Sequence, residues 1–476
     1  MSAILFVHAR GGPPLDYALP RIAAHAEVHV LALAPLPLVT AETWRPYCAS
    51  VTEAVPSDGE ALVELIRSHA ERLAARAVLT FSEYAVVAVA RACERLGLAG
   101  AGARVEAARD KRLMRRTWRD AGVPVPGFAE IHRAADIDKA FERLTPPLLL
   151  KAAWSAGSTA HLTVHDRDEA LRAWQLGRDV MAASAEDGYA ELHSADEGVS
   201  DFLLEEIVTA SARDWFPGPG WGDYVSVEGI VADGVYHPIC ITGRLPTIPP
   251  FTERASIAPA ELPEALQRRI EEVSRAAVDA LGLGTCATHT EIKLAPGGRD
   301  MWLIETAARF GGVMTTRQVE AVFGLDMIGM LTRQLLGRPV AYPHRMLTAP
   351  GSDGPGAQAP GTDGAVAARP GAAGSLVILA ADPLGEPWTR LPVWDFDAVE
   401  WSELLGPGST IELVHERSLP VGTPMPAYRQ AEGANTMAAL CFLTAESAPA
   451  LLADCARIIE ALPKALTAHL STGQAQ

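Results

Sequence analysis

Short apolar runs alternate with amphipathic stretches over the first hundred residues. ILFVHA, VHVLAL and AVLTF read as strands, and residues 15 to 25, 59 to 75 and the segment EYAVVAVARACERLG read as helices between and after them. That alternation predicts a parallel α/β unit. A charged amphipathic helix follows over about 104 to 120, stopped by Gly122 and the VPVP segment. PLLLKAAW and AHLTVHD then read as strands on either side of the small-residue loop SAGST, and a helix from Asp168 leads to the strand FLLEEIV. DYVSVEGIV and VYHPICITGRL form a β pair turning at Asp233 and Gly234, and a helix over about 262 to 281 precedes two further β-prone runs, HTEIKLA and MWLIETA. The breaker cluster Pro296, Gly297 and Gly298 between these runs is the signal for an antiparallel hairpin.

Between 349 and 374 the pattern dissolves into Gly, Ala, Pro and Asp, a composition that buries little and predicts a mobile linker or loop. Beyond it, SLVILAADP, STIELVHE and a terminal helix over about 447 to 466 suggest a small α+β module. No internal repeat is visible. A length of 476 residues points to about three domains.

Composition narrows the class. With 49% hydrophobic and 21% charged residues the chain reads as soluble and globular. A formal net charge of -17 argues against nucleic acid or an anionic membrane as partner. Cys48, Cys93, Cys240, Cys286, Cys441 and Cys455 form no CxxC pair and read as reduced, mostly buried thiols of a cytoplasmic protein. No run reaches the ~18 apolar residues of a spanning helix. MSAILFVHA lacks a basic leader, so it reads as a first strand rather than a signal peptide.

The hairpin carries the chemistry. With the turn centred on Gly298, Glu291 faces Glu305. Like charges opposed across a ladder, with Cβ atoms roughly 5 Å apart, are destabilising unless a cation lies between them. Two hard oxygen donors that share their ion with phosphate describe a magnesium-nucleotide site. The competing reading is a surface hairpin with solvated glutamates, or a bulge that slips the register by one. Arg309 lies four residues beyond Glu305, on the same face of a strand extended through Ala307, where it can meet phosphate oxygens.

Other positions add to it. Lys151 ends an apolar strand and precedes Ser155, Ala156, Gly157, Ser158 and Thr159, a loop small enough for backbone N–H groups to approach polyphosphate. Lys111 and Arg115 are either site residues or a solvated helix face. Glu205 and Glu206 either accept from an adenine amino group or cap a solvated strand end. Gly11 and Gly12 fit a tight strand-to-helix turn better than a phosphate loop. Glu253, Arg254 and His289 contact a substrate ammonium or carboxylate, or else are a charged loop and a core histidine. Val313 and Met314, after Gly311 and Gly312, shape a side-chain pocket or a helix entry. Trp215, Phe216 and Trp221 form either an aromatic cover over the site or a homodimer contact.

Taken in order, DKRLMRRTWRDAGVPVPGF, PLLLKAAWSAGSTAHLTV, FLLEEIV, YVSVEGIVADG, HTEIK and LIETAARFGG resemble the ATP-grasp superfamily, and within it the bacterial L-amino acid ligases of the bacilysin-synthetase type. The resemblance implies a multidomain α/β and α+β chain: a Rossmann-like pre-ATP-grasp domain over 1–103, an ATP-grasp catalytic domain over 104–345 with a mobile lid over about 124–210, a linker over 346–374, and a small α+β C-terminal domain over 375–476. It implies ATP and two magnesium ions. Lys111 and Lys151 would bind phosphates under the loop from Ser155 through Gly157 and Ser158 to Thr159. Glu205, Glu206, Ile207 and Val208 would hold adenine. Asp223 stands at a ribose-binding position, although ASARDWFPGPGWG looks inserted before it. Glu291 and Glu305 would bind magnesium, and Arg309 would stabilise the phosphorylated intermediate and orient a carboxylate. Glu253, His289, Gly311, Val313 and Met314 would face the substrates.

The chain departs from the ExNxR form by carrying Ala307 in place of asparagine, which leaves the second magnesium short of one protein ligand. The implied reaction joins an amino acid or small carboxylic acid to an amino acid through an acyl phosphate, releasing ADP and phosphate. A bicarbonate-using carboxylase and a non-catalytic nucleotide-binding regulator are the alternatives.

Overall fold

A computed structural model describes residues 2–186, 201–349 and 369–472, in three β-sheets and the helices packed on them. The first sheet contains β1 (Ala3–His8), β2 (Glu27–Ala32), β3 (Cys48–Glu53) and β4 (Ala77–Leu79), all parallel, in the order β3-β2-β1-β4. The alternating pattern foretold this unit, except for β3, an edge strand whose residues are exposed or half-buried and give no apolar run. The helix Gly59–Arg72 starts where Asp58 accepts from the Ala61 N–H, and the helix Val86–Leu96 ends at Gly97, which takes the left-handed conformation at φ +65°.

The second sheet is antiparallel and has its own core. It contains β5 (Phe128–Ile131), β6 (Leu148–Ala152), β7 (Leu162–Val164) and β8 (Phe202–Glu206) in the order β5-β8-β6-β7. Leu148, Leu150, Phe202 and Leu204 pack beneath the helices Ala134–Phe141 and Arg167–Glu186. The charged helix expected over 104 to 120 is shorter. It runs Lys111–Asp120, because the Asp110 carboxylate caps it by accepting from the Arg112 N–H, and Val105–Ala108 forms a separate 3-10 turn.

The third sheet is central and holds eight antiparallel strands: β9 (Tyr224–Ala232), β10 (Val235–Arg244), β11 (Ala255–Ala258), β12 (Cys286–Leu294), β13 (Met301–Ala307), β14 (Ala372–Ile378), β15 (Thr410–Leu413) and β16 (Ala439–Ala445). Their order is β13-β12-β9-β10-β11-β14-β16-β15. Pairing of β11 with β14, Ser256 opposite Ser375, joins the C-terminal module to the same sheet as the hairpin. Strand β14 begins at Ala372, within the stretch expected to be linker. Its small residues serve close packing: a Cβ on Gly374 would come 2.9 Å from the Ser256 carbonyl oxygen. The remainder of that stretch, from 350 to 368, lies outside the described residues.

The inserted aromatic loop is neither a cover nor an exposed contact. Trp215, Phe216 and Trp221 are at most 5% exposed and belong to the main core. The Trp215 indole donates to the Ala295 carbonyl at 2.7 Å, and Phe216 stacks on Trp221 with centroids 4.7 Å apart. Gly243 makes room for Trp221, whose ring would meet any Cβ there. All six cysteines are free, and among the described residues no helix is long and apolar enough to cross a membrane.

Candidate active site

A cavity of about 250 Å³ lies between the second sheet and the hairpin end of the central sheet. The turn Pro296–Gly298, with Gly297 and Gly298 at positive φ, joins β12 to β13 and places Glu291 opposite Glu305. The register does shift, but only beyond that pair: Ile292 faces Leu303, which leaves Ile304 as the extra residue. The opposed carboxylates therefore survive the bulge. Both line the cavity.

Cations stand against the hairpin from the other side. Lys111, at the start of its helix, donates to the Ser155 carbonyl at 2.7 Å and lies 3.3 Å from a Glu305 oxygen. Lys151, on β6, is 2.5 Å from one Glu205 oxygen while Arg115 holds the other, and Arg115 also donates to the bulged Ile304 carbonyl at 2.6 Å. Burial alone would raise the Glu205 carboxyl, yet Arg115 and Lys151 outweigh it and hold it at about 2. The Lys151 ammonium is lowered, chiefly by burial. For Glu305, burial is outweighed chiefly by Lys111 and then by Arg309, with Lys151 adding to them, which hold it at about 2. His161 is lowered to about 3 by burial and then by Lys151 and Lys111, so it faces the cavity as neutral imidazole.

Glu205 thus acts first as the shared counter-ion of Lys151 and Arg115, a role the sequence reading did not give it. Glu206, Ile207 and Val208 line the cavity beside it. Gly157 and Ser158 line it as well, both at positive φ, but Ser155 and Thr159 do not. Their hydroxyls shape the loop instead: Ser155 Oγ donates to the Ala152 carbonyl at 3.2 Å, and Thr159 Oγ1 to the Ala156 carbonyl at 2.9 Å. Asp223 is also off the cavity wall, with its carboxylate 2.7 Å from Lys293 Nζ. The segment Gln430–Thr436 holds the loop through Ala160 N to the Ala431 carbonyl at 2.8 Å and Ala434 N to the Gly157 carbonyl at 3.2 Å.

The hairpin side is dominated by acids. His289 lies 2.8 Å from Glu228 and 3.4 Å from Glu291. Burial would lower its imidazole, but Glu228 and Glu291 overcome this and raise it to about 9. Glu253 lines the cavity 2.6 Å from Arg244, and burial, the largest influence on it, raises its carboxyl. Arg244 in turn donates to Ser226 at 2.5 Å and to Thr242 at 2.7 Å, so it is fixed from several sides.

Gly312 and Val313 reach the cavity, whereas Gly311 and Met314 do not. Gly311 is needed for close approach, since a Cβ there would come 2.6 Å from His289 Nδ1, and Met314 is 3% exposed in a core shared with the first sheet. Arg309 also differs from expectation: β13 ends at Ala307, so Arg309 sits in the following bend rather than on the strand. It lines the cavity with Nε 2.5 Å from Glu83 Oε2.

Sequence reasoning missed Glu83, His161, Glu228 and Arg244. Alternation along β9 and β10 could have flagged the last two as inward-facing charges; Glu83 and His161 carry no local signal.

The donor set fits a divalent ion that completes its shell elsewhere. Glu291 and Glu305 supply hard oxygens, and among the described residues no group of three or more His, Cys, Asp or Glu forms a self-sufficient cage. The lysines and Arg309 nearby suit the phosphate oxygens that would supply the rest.

A scan against protein-family models finds no match. The alanine–anticapsin ligase of Bacillus subtilis (strain 168) is 37% identical over 290 residues, 60% of each chain. The chain thus spans about 60% of the length of the curated relatives it matches first. The structure resembles an L-amino acid ligase from Bacillus licheniformis with a TM-score of 0.64 at 19% identity, over 97% of both chains. It also resembles a biotin carboxylase from Campylobacter jejuni in a β,γ-ATP complex, with a TM-score of 0.59 at 15% identity, over 94% of this chain and 88% of that one. Likenesses at such low identity show the fold alone.

Proposed function

We propose that the chain is an ATP-grasp protein and acts as an ATP-dependent carboxylate–amine ligase, joining an amino acid or small carboxylic acid to an amino acid. The observation that carries the reading is the meeting of two charge patterns at one cavity: opposed Glu291 and Glu305 facing Lys111, Lys151 and Arg309. Relatives named as alanine–anticapsin ligases support amide formation between small amino-acid-like partners.

A carboxylate is a poor acyl donor. Transfer of the terminal phosphoryl group of ATP to its oxygen makes an acyl phosphate, from which an amine displaces phosphate. Glu291 and Glu305 would hold magnesium, which when bound neutralises charge on the transferring phosphoryl group. Lys111, Lys151 and the backbone of Gly157 and Ser158 orient the phosphates, so catalysis is largely positional and electrostatic. Glu206 to Val208 flank the base. Arg309 steadies the reacting carboxyl oxygens, Glu253 faces the substrate ammonium, and Val313 bounds its side chain. The sheet β5 to β8 covers the site and excludes water, which would hydrolyse the acyl phosphate.

The test is ADP release from ATP and magnesium with pairs of amino acids, with the amide identified by mass spectrometry. We expect release that depends on both partners and not on bicarbonate. No amide from a broad panel, or stimulation by bicarbonate alone, would contradict the reading.

A further inference from the structure

The mechanism above leaves unused a buried carboxylate from the first unit of the chain. Glu83 opens the short turn Glu83–Ala85 after β4 and is 8% exposed. Ser82 caps that turn by accepting from the Tyr84 N–H at 3.3 Å, and its hydroxyl donates to the Arg10 carbonyl, so the position of Glu83 is set by the first sheet. The side chain leaves that unit and enters the junction behind the cavity. There Oε2 lies 2.5 Å from Arg309 Nε, and Oε1 lies 3.6 Å from Arg109 Nε.

Arg109 extends the connection. It is 2% exposed, and its two terminal nitrogens donate to the Ser155 carbonyl at 3.3 Å and the Trp154 carbonyl at 3.1 Å. These carbonyls form the root of the loop that carries Gly157 and Ser158. Lys111 donates to the same Ser155 carbonyl at 2.7 Å and approaches Glu305. A single chain of charged contacts therefore runs from the acyl-side arginine, through Glu83 and Arg109, to the phosphate loop and back to the hairpin carboxylate. Glu83 is the member of this chain that comes from the first unit, following β4.

We propose that Glu83 is a positioning residue: it fixes the Arg309 guanidinium against the reacting carboxyl group and, through Arg109, couples that placement to the set of the phosphate loop. The physical case rests on burial and direction. The Arg309 guanidinium sits in a poorly solvated junction, where removing its nearest anion is costly. Contact through Nε leaves the outer edge of Arg309 turned to the cavity, apart from the Nη1 bond to the Phe310 carbonyl at 2.9 Å. Glu83 itself does not line the cavity, so it acts through Arg309 and not on substrate. The proposal rests on the ligase reading and adds a component to it.

The experiment is a double-mutant cycle in the full chain, comparing Glu83→Gln, Arg309→Ala and the pair. Readouts are magnesium-ATP affinity by calorimetry and kcat and KM for amino-acid-dependent ADP release. Glu83→Gln should bind magnesium-ATP within about threefold of wild type while kcat falls about 100-fold, the cost of a misplaced reacting contact. In the Arg309→Ala background the same change should lower kcat by less than about threefold, because the two act as one unit. Should Glu83→Gln not fold, Glu83→Asp keeps the charge but shortens its reach, and a kcat at least about tenfold down with unaltered nucleotide affinity is expected. Wild-type kcat in Glu83→Gln or in the fallback Glu83→Asp, or an equal loss with and without Arg309, overturns the positioning role while the ligase reading stands. A wild-type chain silent across the amino-acid panel overturns both.

Discussion

On the second-sheet side of the cavity, Lys151 and Arg115 hold one carboxylate, Glu205, with Lys111 beside Glu305; on the hairpin side, Glu228, Glu253 and Glu291 gather around His289 and Arg244. The first arrangement is cationic and the second anionic. In the first, Arg115 and Lys151 outweigh burial at Glu205; in the second, Glu228 and Glu291 outweigh it at His289. The cationic side suits a polyphosphate, and the anionic side suits a divalent ion and an ammonium. Glu305 and Arg309 stand where the two meet. A reaction that moves a phosphoryl group onto a carboxylate oxygen and brings an amine to the adjoining carbon needs both environments within one cavity.

Substitutions can break this contrast one side at a time. Glu305→Gln removes half of the opposed pair and should lower turnover by at least about 1,000-fold with the circular dichroism spectrum retained. Near-normal ADP release by that variant would refute the metal role. Lys151→Met leaves Glu205 with Arg115 alone and should lower kcat/KM for ATP by about 100-fold with a smaller change in KM for the amine substrate. Glu253→Gln reverses that selectivity: KM for the amino-acid substrate should rise by about tenfold while ATP affinity stays the same. Equal effects of both variants on both substrates would dissolve the division of labour.

The anionic side also has a signature in pH. His289 is raised to about 9 in the folded chain from an ordinary value of 6.5, so its contribution is complete below about 6.5 and is lost as pH rises through 9. It is on the order of 3 kcal/mol. Denaturant midpoints should fall between pH 6.5 and 9.5 in wild type and fall less in His289→Gln. Parallel slopes would place the imidazole outside the acid cluster. The smallest effect on turnover is expected from Trp221→Ala, which should cost about 3–5 kcal/mol of stability while leaving both KM values within about twofold.

How far the sequence revealed this arrangement depended on whether the signal was local. The hairpin was legible because Pro296, Gly297 and Gly298 mark its turn and the flanking runs alternate, whereas the bulge at Ile304 leaves no trace in composition. Lys151 was legible as a charge closing an apolar strand. Its pairing with Glu205 depends on β6 lying beside β8, which separation along the chain conceals. The aromatic loop misled because Pro and Gly around Trp215, Phe216 and Trp221 imitate an exposed loop, while the ring surfaces themselves drive burial. Joining of the C-terminal strands to the central sheet turns on β11, four small or apolar residues with no flanking pattern of their own. Glu83 was invisible because its partners, Arg109 and Arg309, come from distant segments.

The central claim is that the cavity activates a carboxylate by phosphorylation before the amine attacks it. The most direct measurement uses an acid substrate labelled with oxygen-18 in its carboxyl group, followed by mass analysis of the phosphate released during amide formation. Transfer of one labelled oxygen to each phosphate is the predicted result. Unlabelled phosphate appearing together with labelled amide and water would contradict it.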